Sequence, residues 1–305
     1  MKILLALVLA ACGAPAPTPT PPLSGSGPRA PAVSEADAQA AYETKQWTKC
    51  GELYEALGAQ TTGGQQAGAL YNGACCFALG GNAGRAFALL DRAVASGLKD
   101  IEHTKLDADL ASLHADPRWT AALAKIEVNV KTFEATLGDP ILRRELLAWM
   151  AEDQQVRIEI GKRSEKPTPE TLTDLTTIDS KTTTYMKTVI EKHGWPGHAL
   201  VGRDGAHAAW LLVQHADLDP AFQKHCLELI EKAVAANDAS PTDYGYLYDR
   251  VAVAEKRPQR YGTQFMDGKP QPIEDEANVD ARRKAIGLGT MEEYKQQMRA
   301  MYGPK

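Results

Sequence analysis

The segment from Ala206 to Ala216 constrains the fold most, because it is apolar on nearly every side. At helical spacing, its alanine, leucine, valine and tryptophan side chains would cover the whole circumference of a helix. Such a helix must be surrounded by protein rather than lie on a surface. The segment nevertheless carries Gln214 and His215, and Asp217 follows it directly. Polar side chains on a buried helix must find partners or line a cavity, so the sequence predicts a polar centre inside an α-helical domain.

Two further predicted helices carry charged side chains on faces that should be buried. Asp153 and Arg157 lie four residues apart within the apolar stripe of a helix that begins at Pro140. Asp249 and Arg250 stand among tyrosine, leucine and valine side chains. Burying one charge alone costs several kcal/mol, whereas paired and hydrogen-bonded charges are tolerated. A structural ion-pair network and a functional centre are both consistent with this pattern.

Charge and motif content exclude several classes of function. The net charge of −5 argues against a nucleic-acid partner, because phosphate binding needs a basic surface. None of the spacings CxxC, HExxH or HxxxH occurs in the sequence, so no metal site is predicted. No cofactor motif is found either, and we expect no cofactor.

The first residues form a targeting signal rather than part of the fold. Lys2 precedes an apolar run that is too short to span a bilayer, which requires about 20 residues. The run ends in Leu9-Ala10-Ala11-Cys12, which closely resembles the lipobox of bacterial lipoproteins. The resemblance implies that residues 1–11 are removed as a signal peptide and that Cys12 is acylated. An ordinary secretory signal with a chance cysteine is the alternative.

The residues after the cysteine extend this interpretation. Gly13 stands where inner-membrane retention signals usually place Asp, so the resemblance implies the outer membrane of a bacterial envelope. Through Cys12 the membrane itself would be a partner, with the body of the protein in the periplasm or at the surface. Residues 12–33 then comprise the lipidated cysteine and a proline-rich tether that forms no core.

From Ser34 the apolar pattern becomes helical. Two predicted helix pairs break around residues 44–46 and at residues 80–82. Small residues occur where the helices approach each other. Over about Ser34 to Ile126 this pattern resembles tetratricopeptide-type helix pairs. The resemblance implies a module, residues 34–137, that binds a protein or peptide partner on a concave face. A helical bundle of purely structural use is the alternative.

The cysteines allow two interpretations. Cys50 and the neighbouring pair Cys75 and Cys76 fall on adjacent predicted helices, so one disulfide is geometrically reasonable. Small buried thiols are the favoured interpretation, and Cys226 is read in the same way.

Residues 138–305 are predicted to form a second, helical domain, so the fold is mainly α with at most a short β-hairpin. The polar, threonine-rich stretch from Lys162 to Thr184 predicts a long loop followed by the start of a helix that ends at His193-Gly194. Residues 199–202 predict a short extended piece. Asp267-Gly268 predicts the turn of the hairpin.

The motifs of the second half are similar to those of a known family. In chain order they read "EDQQVR", "GWPG", "AAWLLVQHAD", "YLYDRV", "PQRYGTQ" and "PIEDEANVDARRKAIGL". Over about Leu142 to Tyr294 this series resembles an uncharacterised bacterial domain family. The resemblance implies no settled activity, but it singles out polar positions within the motifs.

Two hypotheses of function follow from these positions. In the first, a non-catalytic envelope lipoprotein binds a partner through residues 34–137, and the polar groups form a satisfied network. In the second, the domain is an enzyme, such as a hydrolase for a peptide or cell-wall-derived substrate. His215 would then be the general base, an aspartate would orient it, and Arg157 or Arg250 would hold an anionic group. The candidate catalytic residues are His215, Asp217, Asp153, Arg157, Asp249 and Arg250. The candidate substrate-binding residues are Gln154, Trp195, Gln214, Gln223, Gln259, Tyr261, Thr263 and Gln264.

The lipid anchor can be tested at one residue. Cys12→Ser removes the thiol that acylation requires, so the variant should lose palmitate labelling and leave the membrane fraction of a bacterial host. Cys226→Ser is the control and should keep both properties. Equal palmitate labelling of Cys12→Ser and the wild type would contradict the lipoprotein interpretation.

Overall fold

The computed structural model describes residues 33–163, 168–266 and 268–302. These residues form two compact units, 33–136 and 137–302. The predicted fold class is confirmed, because both units are built mainly from helices and the described sheet is a single two-stranded hairpin. The predicted signal peptide, Cys12 and most of the tether lie outside the described residues. None of the described helices is both long and apolar enough to cross a membrane.

The first unit contains α-helices and one 3₁₀ helix joined by short turns. The bounds are α1 Glu35–Glu43, α2 Trp47–Gln60, α3 Gly63–Leu79, α4 Ala83–Ala95, α5 Ile101–Leu106, the 3₁₀ helix Ala108–Leu113, and α6 Pro117–Glu134. Both predicted breaks, at residues 44–46 and 80–82, are confirmed. Ser34 caps α1 with a capping box, and the side chain of Asn82 accepts the backbone N–H of Arg85 at the start of α4.

Small residues allow the helices of the first unit to approach closely. A Cβ atom on Gly51 of α2 would lie 2.5 Å from the ring of Phe77 on α3. A Cβ atom on Gly73 would lie 2.8 Å from Leu89 of α4. These substitutions would displace packed side chains, so the glycines fix the distance between neighbouring helices.

A disulfide joins Cys50 of α2 to Cys76 of α3, with a Cα–Cα distance of 5.8 Å. The interpretation of these two residues as free thiols is therefore wrong, while Cys75 and Cys226 are free and buried. Consecutive residues on a helix point about 100° apart, so only one of the two neighbouring cysteines can face α2. Cys75 points instead toward Asp107, with its sulfur 3.6 Å from the carboxylate.

Two tyrosines tie the segment after α5 to the earlier helices. The Tyr71 hydroxyl donates to Asp107 at 2.6 Å, and the Tyr42 hydroxyl donates to Asp109 at 2.9 Å. The sulfur of Cys75 and one carboxylate oxygen each of Asp107 and Asp109 lie within 4.8 Å of one another. The tyrosine hydrogen bonds account for the position of both carboxylates, so the cluster acts as a structural tie.

The second unit contains longer helices and the hairpin. The bounds are α7 Pro140–Arg163, α8 Pro169–His193, α9 His198–Gln214, α10 Pro220–Ala235, α11 Pro241–Ala254, β1 Phe265–Met266, β2 Lys269–Pro270, a 3₁₀ helix Glu276–Asn278, α12 Val279–Ala285 and α13 Met291–Tyr302. The helices α7, α8, α10 and α11 all begin at a proline, whose fixed φ suits the first turn. The hairpin strands are antiparallel and flank the predicted turn, of which Gly268 is described, with φ 72°.

The long loop predicted over Lys162–Thr184 is wrong, because most of that stretch belongs to α8. The helix begins at Pro169, and Thr168 caps it through a capping box. Leu175 and Ile178 are buried one turn apart. Several threonine hydroxyls donate to carbonyl oxygens one turn earlier, so they are satisfied within the helix. The threonine-rich composition concealed an apolar stripe of helical period.

The extended piece predicted at residues 199–202 is also wrong. These residues form the first turn of α9, which is kinked at Gly202 with φ 74°. That φ value is readily adopted only by glycine. The N–H groups of Gly138 and Asp139 donate to the carbonyl oxygens of Ala199 and Leu200 at 3.0 and 2.8 Å. These bonds hold the start of α7 beside the start of α9.

The helix α9 lies inside the second unit, as its sequence predicts. Its side chains from Ala208 to Val213 are each at most 4% exposed. They pack with apolar residues of α7, α8, α10 and α11 in one core cluster. The end of α9 therefore carries Gln214 and His215 into the protein interior, where they are 1% and 2% exposed.

The C-terminal helices pack on the hairpin. Phe265, Val279 and Met291 form a small separate core. Arg283 is 1% exposed, and it donates to the carbonyl oxygens of Gly289 and Tyr261 at 2.6 and 2.7 Å. This buried arginine connects α12 to the loop that precedes the hairpin.

Reduction of the disulfide should destabilise the first unit. The bridge spans a sequence separation of 26 residues, for which loop-closure entropy gives about 3.5 kcal/mol. We expect a reductant to lower the free energy of unfolding of the wild type by that order in a urea titration. The variant Cys50→Ala/Cys76→Ala, which lacks the bridge, should not respond to the reductant. A wild-type curve that the reductant leaves unchanged would contradict the bridge.

Candidate functional site

Four side chains from α7, α8 and the end of α9 form the first group of a buried polar centre. Asp153 is fully buried, and its carboxylate accepts from Arg157 Nη2 at 2.9 Å and from His215 Nδ1 at 2.9 Å. Arg157 also donates to Asp179 of α8. The predicted pairing of Asp153 with Arg157 one turn away is therefore present, and it extends to two further helices.

The environment of His215 favours the neutral imidazole. Burial lowers the pKa of His215, and the charges of Arg157 and Arg250 act in the same direction. The hydrogen bond to Asp153 opposes this effect but does not outweigh it. A neutral ring that donates from Nδ1 to a carboxylate carries a lone pair on Nε2. His215 is therefore arranged as a hydrogen-bond acceptor and proton acceptor at Nε2.

Asp153 is ionised at neutral pH. Burial alone would raise the pKa of Asp153, but the bonds from His215 and Arg157 hold it below its ordinary range. The Nδ1–H of the neutral His215 ring lowers this pKa through its hydrogen bond, whereas a coulombic effect of His215 would require the imidazolium form, which burial disfavours. The hydrogen bond from His215 and the permanent charge of Arg157 together keep this carboxylate ionised.

Asp179 is a member of the centre that the sequence analysis did not identify. Burial raises the pKa of Asp179 to about 6, and the nearby carboxylates of Asp153 and Asp217 add to this effect against the charge of Arg157. Asp179 falls in the stretch that composition predicts as a loop, although Leu175 and Ile178 define a buried helical face beside it. The apolar period of α8 was the signal that could have placed it.

The second group of the polar centre is built around Asp217. Arg250 binds this carboxylate through two hydrogen bonds, Nε to Oδ1 at 2.7 Å and Nη2 to Oδ2 at 2.6 Å. Gln223 donates to Asp217 Oδ1 at 3.1 Å, and Arg250 Nη1 donates to Gln264 at 3.3 Å. The Asp217 side chain is 37% exposed, whereas that of Arg250 is 10% exposed. Asp217 therefore connects the polar centre to solvent.

Asp249 holds the loop that closes the centre. Its carboxylate accepts the backbone N–H groups of Arg260, Tyr261 and Thr263 at 2.6, 3.0 and 2.9 Å, and the Thr263 hydroxyl at 3.0 Å. These bonds wrap the chain around Gly262, whose φ of 71° favours glycine. Burial raises the pKa of Asp249, and the four hydrogen bonds oppose that effect. The arrangement uses this carboxylate to shape the loop.

Gln259 has a similar part in the loop. Its amide donates to the carbonyl oxygens of Gln264 and Gln271 at 3.0 and 2.8 Å, and its Oε1 accepts the N–H of Gln264 at 2.8 Å. Gln264 also donates to the Thr263 hydroxyl at 3.0 Å. The candidate binding residues Gln259, Tyr261 and Thr263 are thus joined in the loop scaffold.

Several buried polar atoms have no hydrogen-bond partner among the described residues. They are His215 Nε2, both amide atoms of Gln214, and the indole Nε1 atoms of Trp210 and Trp195. Buried polar atoms are nearly always paired. The carboxylates and arginines of the centre satisfy one another, so the unpaired positions are confined to uncharged groups.

The predicted site residues separate into those that meet and those that do not. Asp153, Arg157 and His215 meet, and the Gln154 amide donates to Asp153 at 2.8 Å. Asp217, Gln223, Arg250 and Gln264 form the second group, which lies at the same end of α9. Trp195 lies apart, in the turn before α9, where it packs against the apolar core. Both arginines already bind carboxylates of their own chain, which argues against the expectation that either holds an anionic substrate.

The low pKa of His215 gives the fold a pH dependence of defined sign. The ordinary histidine pKa is 6.5, and in the folded state the ring resists protonation below that value. Its contribution to the free energy of unfolding is full above about pH 6.5 and is lost as the pH falls toward the folded pKa. In urea titrations of wild type and His215→Gln, the stability advantage of the wild type should therefore shrink as the pH falls. An advantage that grows on acidification would show that folding raises the pKa of His215.

Comparison with known proteins agrees with the motif series. A family model described as a family of unknown function (DUF6624) matches residues 140–305. No curated protein and no solved structure matches the chain. The tetratricopeptide-type resemblance of residues 34–137 is not confirmed and stays a prediction. The match spans more than half of the sequence, and the chain belongs to the DUF6624 family of unknown function.

Proposed function

We propose that this protein is a lipoprotein of the bacterial envelope whose C-terminal domain binds a small ligand at its polar centre. The lipobox-like Cys12 supports the anchor, and residues 34–137 would recognise a protein or peptide partner. The Cys50–Cys76 bridge also supports an envelope location, because disulfides persist in oxidising compartments such as the periplasm.

One observation carries the ligand-binding proposal. His215 Nε2 and both amide atoms of Gln214 are buried and have no partner in the described part of the chain. A network that served packing alone would satisfy its members, because leaving a buried polar atom unpaired costs about 1–3 kcal/mol. The neighbouring carboxylates and arginines are fully used, so the unpaired atoms are the ones that a ligand would meet.

A second candidate function is catalysis with His215 as general base. It is favoured by the orientation of the ring, since Asp153 holds Nδ1 at 2.9 Å and leaves the Nε2 lone pair available. A histidine with this partner accepts a proton from water or a hydroxyl group during hydrolysis. A peptide or cell-wall-derived substrate would suit an envelope protein.

One experiment separates the two candidates from a structural network. Purified full-length wild type and His215→Asn are each incubated with a small-molecule extract of bacterial envelopes, and mass spectrometry follows retained and converted compounds. We expect the wild type to retain a compound that the variant does not, because the short Asn amide can take the place of Nδ1 and donate to Asp153, whereas no acceptor then reaches the position of Nε2. Conversion of a compound by the wild type alone would favour the enzyme. Identical results for both proteins would contradict any ligand at His215.

The matched control is Asp249→Asn, which alters a buried carboxylate that shapes the loop. An amide cannot accept all four of the hydrogen bonds that Asp249 receives. We expect this variant to lose about 3 kcal/mol of stability, whereas His215→Asn should lose about 1 kcal/mol or less. The comparison shows whether loss of binding follows from the site or from unfolding.

A further inference from the structure

Trp210 continues the run of unpartnered polar groups beyond Gln214 and His215. Its indole Nε1 has no hydrogen-bond partner within the described ranges, and its side chain is 4% exposed. Trp210 and Gln214 lie one helical turn apart on α9, so they share a face and are separated by about 6 Å along the axis. His215 directly follows Gln214, and its side chain points about 100° further round the axis. The three residues therefore place unsatisfied donors and acceptors on adjoining sides of the end of α9.

The charged groups beside this run already have partners. Arg157 binds Asp153, Arg250 binds Asp217 through two hydrogen bonds, and Asp249 accepts four bonds from the loop. A charged ligand would have to displace one of these partners or be buried without a counter-charge. The run therefore selects an uncharged group.

We propose that Trp210, Gln214 and His215 bind a primary carboxamide group. The side chains offer N–H donors at Trp210 Nε1 and Gln214 Nε2, and acceptors at Gln214 Oε1 and His215 Nε2. A primary amide offers the complementary set, because its carbonyl oxygen accepts two hydrogen bonds and its nitrogen donates two. A hydroxyl group has a single proton to donate, and a carboxylate has none. The inference rests on the proposed function, since it names the ligand class of the same site.

Three small molecules of one shape and different charge test the proposal: acetamide, acetate and the acetamidinium ion. The full-length chain contains five tryptophans, and ¹⁵N labelling of their indoles gives one NMR signal for each. The variant Trp210→Phe identifies the signal of Trp210. We expect acetamide to shift that signal saturably, with the weak, millimolar affinity of so small a ligand. Trp47 and Trp119 of the first unit are internal controls whose signals should not move.

Each other outcome has a defined meaning. A saturable shift with acetate or acetamidinium instead of acetamide would overturn the carboxamide class and leave a ligand site at His215 standing. A Trp210 signal that none of the three molecules shifts would overturn the carboxamide site. The proposed ligand-binding function is overturned separately, by identical results for wild type and His215→Asn in the envelope-extract experiment.

Gln214→Met supplies a second test that does not depend on the tryptophan. The apolar side chain has a similar volume but removes the amide, so acetamide binding should weaken about tenfold or more. The urea midpoint should stay the same or rise, because a buried unpaired polar group is removed. Gln66→Met is the control, because that amide lies in the first unit and donates to the carbonyl oxygen of Gly58 at 2.9 Å. Its loss should lower stability and leave acetamide binding unchanged. Unchanged acetamide affinity in Gln214→Met would overturn the proposal.

Discussion

The second unit depends on the enclosure of α9, because a helix buried on every side gives its polar residues no solvent to face. Ala208 and Leu212 are fully buried, and at the end of the same helix Gln214 and His215 are carried into the interior. The charge of Asp153 can lie beside them only because Arg157 is fixed one turn away on α7 and because His215 donates from Nδ1. Desolvation of either charge alone would cost several kcal/mol. Pairing across helices therefore determines how α7, α8 and α9 are arranged around the centre.

The sequence predicted this centre in outline because burial and polarity conflict visibly within one helix. The apolar run of α9, the i,i+4 spacing of Asp153 and Arg157, and the prolines that begin α10 and α11 are local signals, and each has a local cause. Partner choice is not local. His215 donates to Asp153, 62 positions away in the sequence, and Arg250 donates to Asp217. Both pairings follow from the packing of the helices, which residue spacing within one helix does not predict.

The errors have a common physical origin. Threonine-rich composition suggested a loop over Lys162–Thr184, yet the threonine hydroxyls bond to carbonyl oxygens within α8, and the apolar period decides the structure. Because Asp179 lies in that stretch, the loop prediction also missed its contact with Arg157, which completes the first group. The free-thiol interpretation failed for a similar reason, since Cys75 and Cys76 differ only in the direction that each takes on α3. In each case side-chain direction on a helix outweighed the residue type.

The distribution of satisfied and unsatisfied atoms distinguishes the parts of the polar centre from one another. The hydrogen-bonding atoms of Asp249 and Gln259 are occupied by groups of the loop that these residues shape. They are therefore not available to bind a ligand. Arg250 and Asp217 are bound to each other by two hydrogen bonds, which is the arrangement expected of a structural pair. Within the described residues the unpaired buried side-chain atoms are all uncharged, and apart from the indole of Trp195 they lie at the end of α9. Selection for packing alone would favour apolar side chains at Gln214, because an unpaired buried amide lowers stability. The presence of an amide beside an oriented imidazole therefore supports the proposal of a ligand at this position.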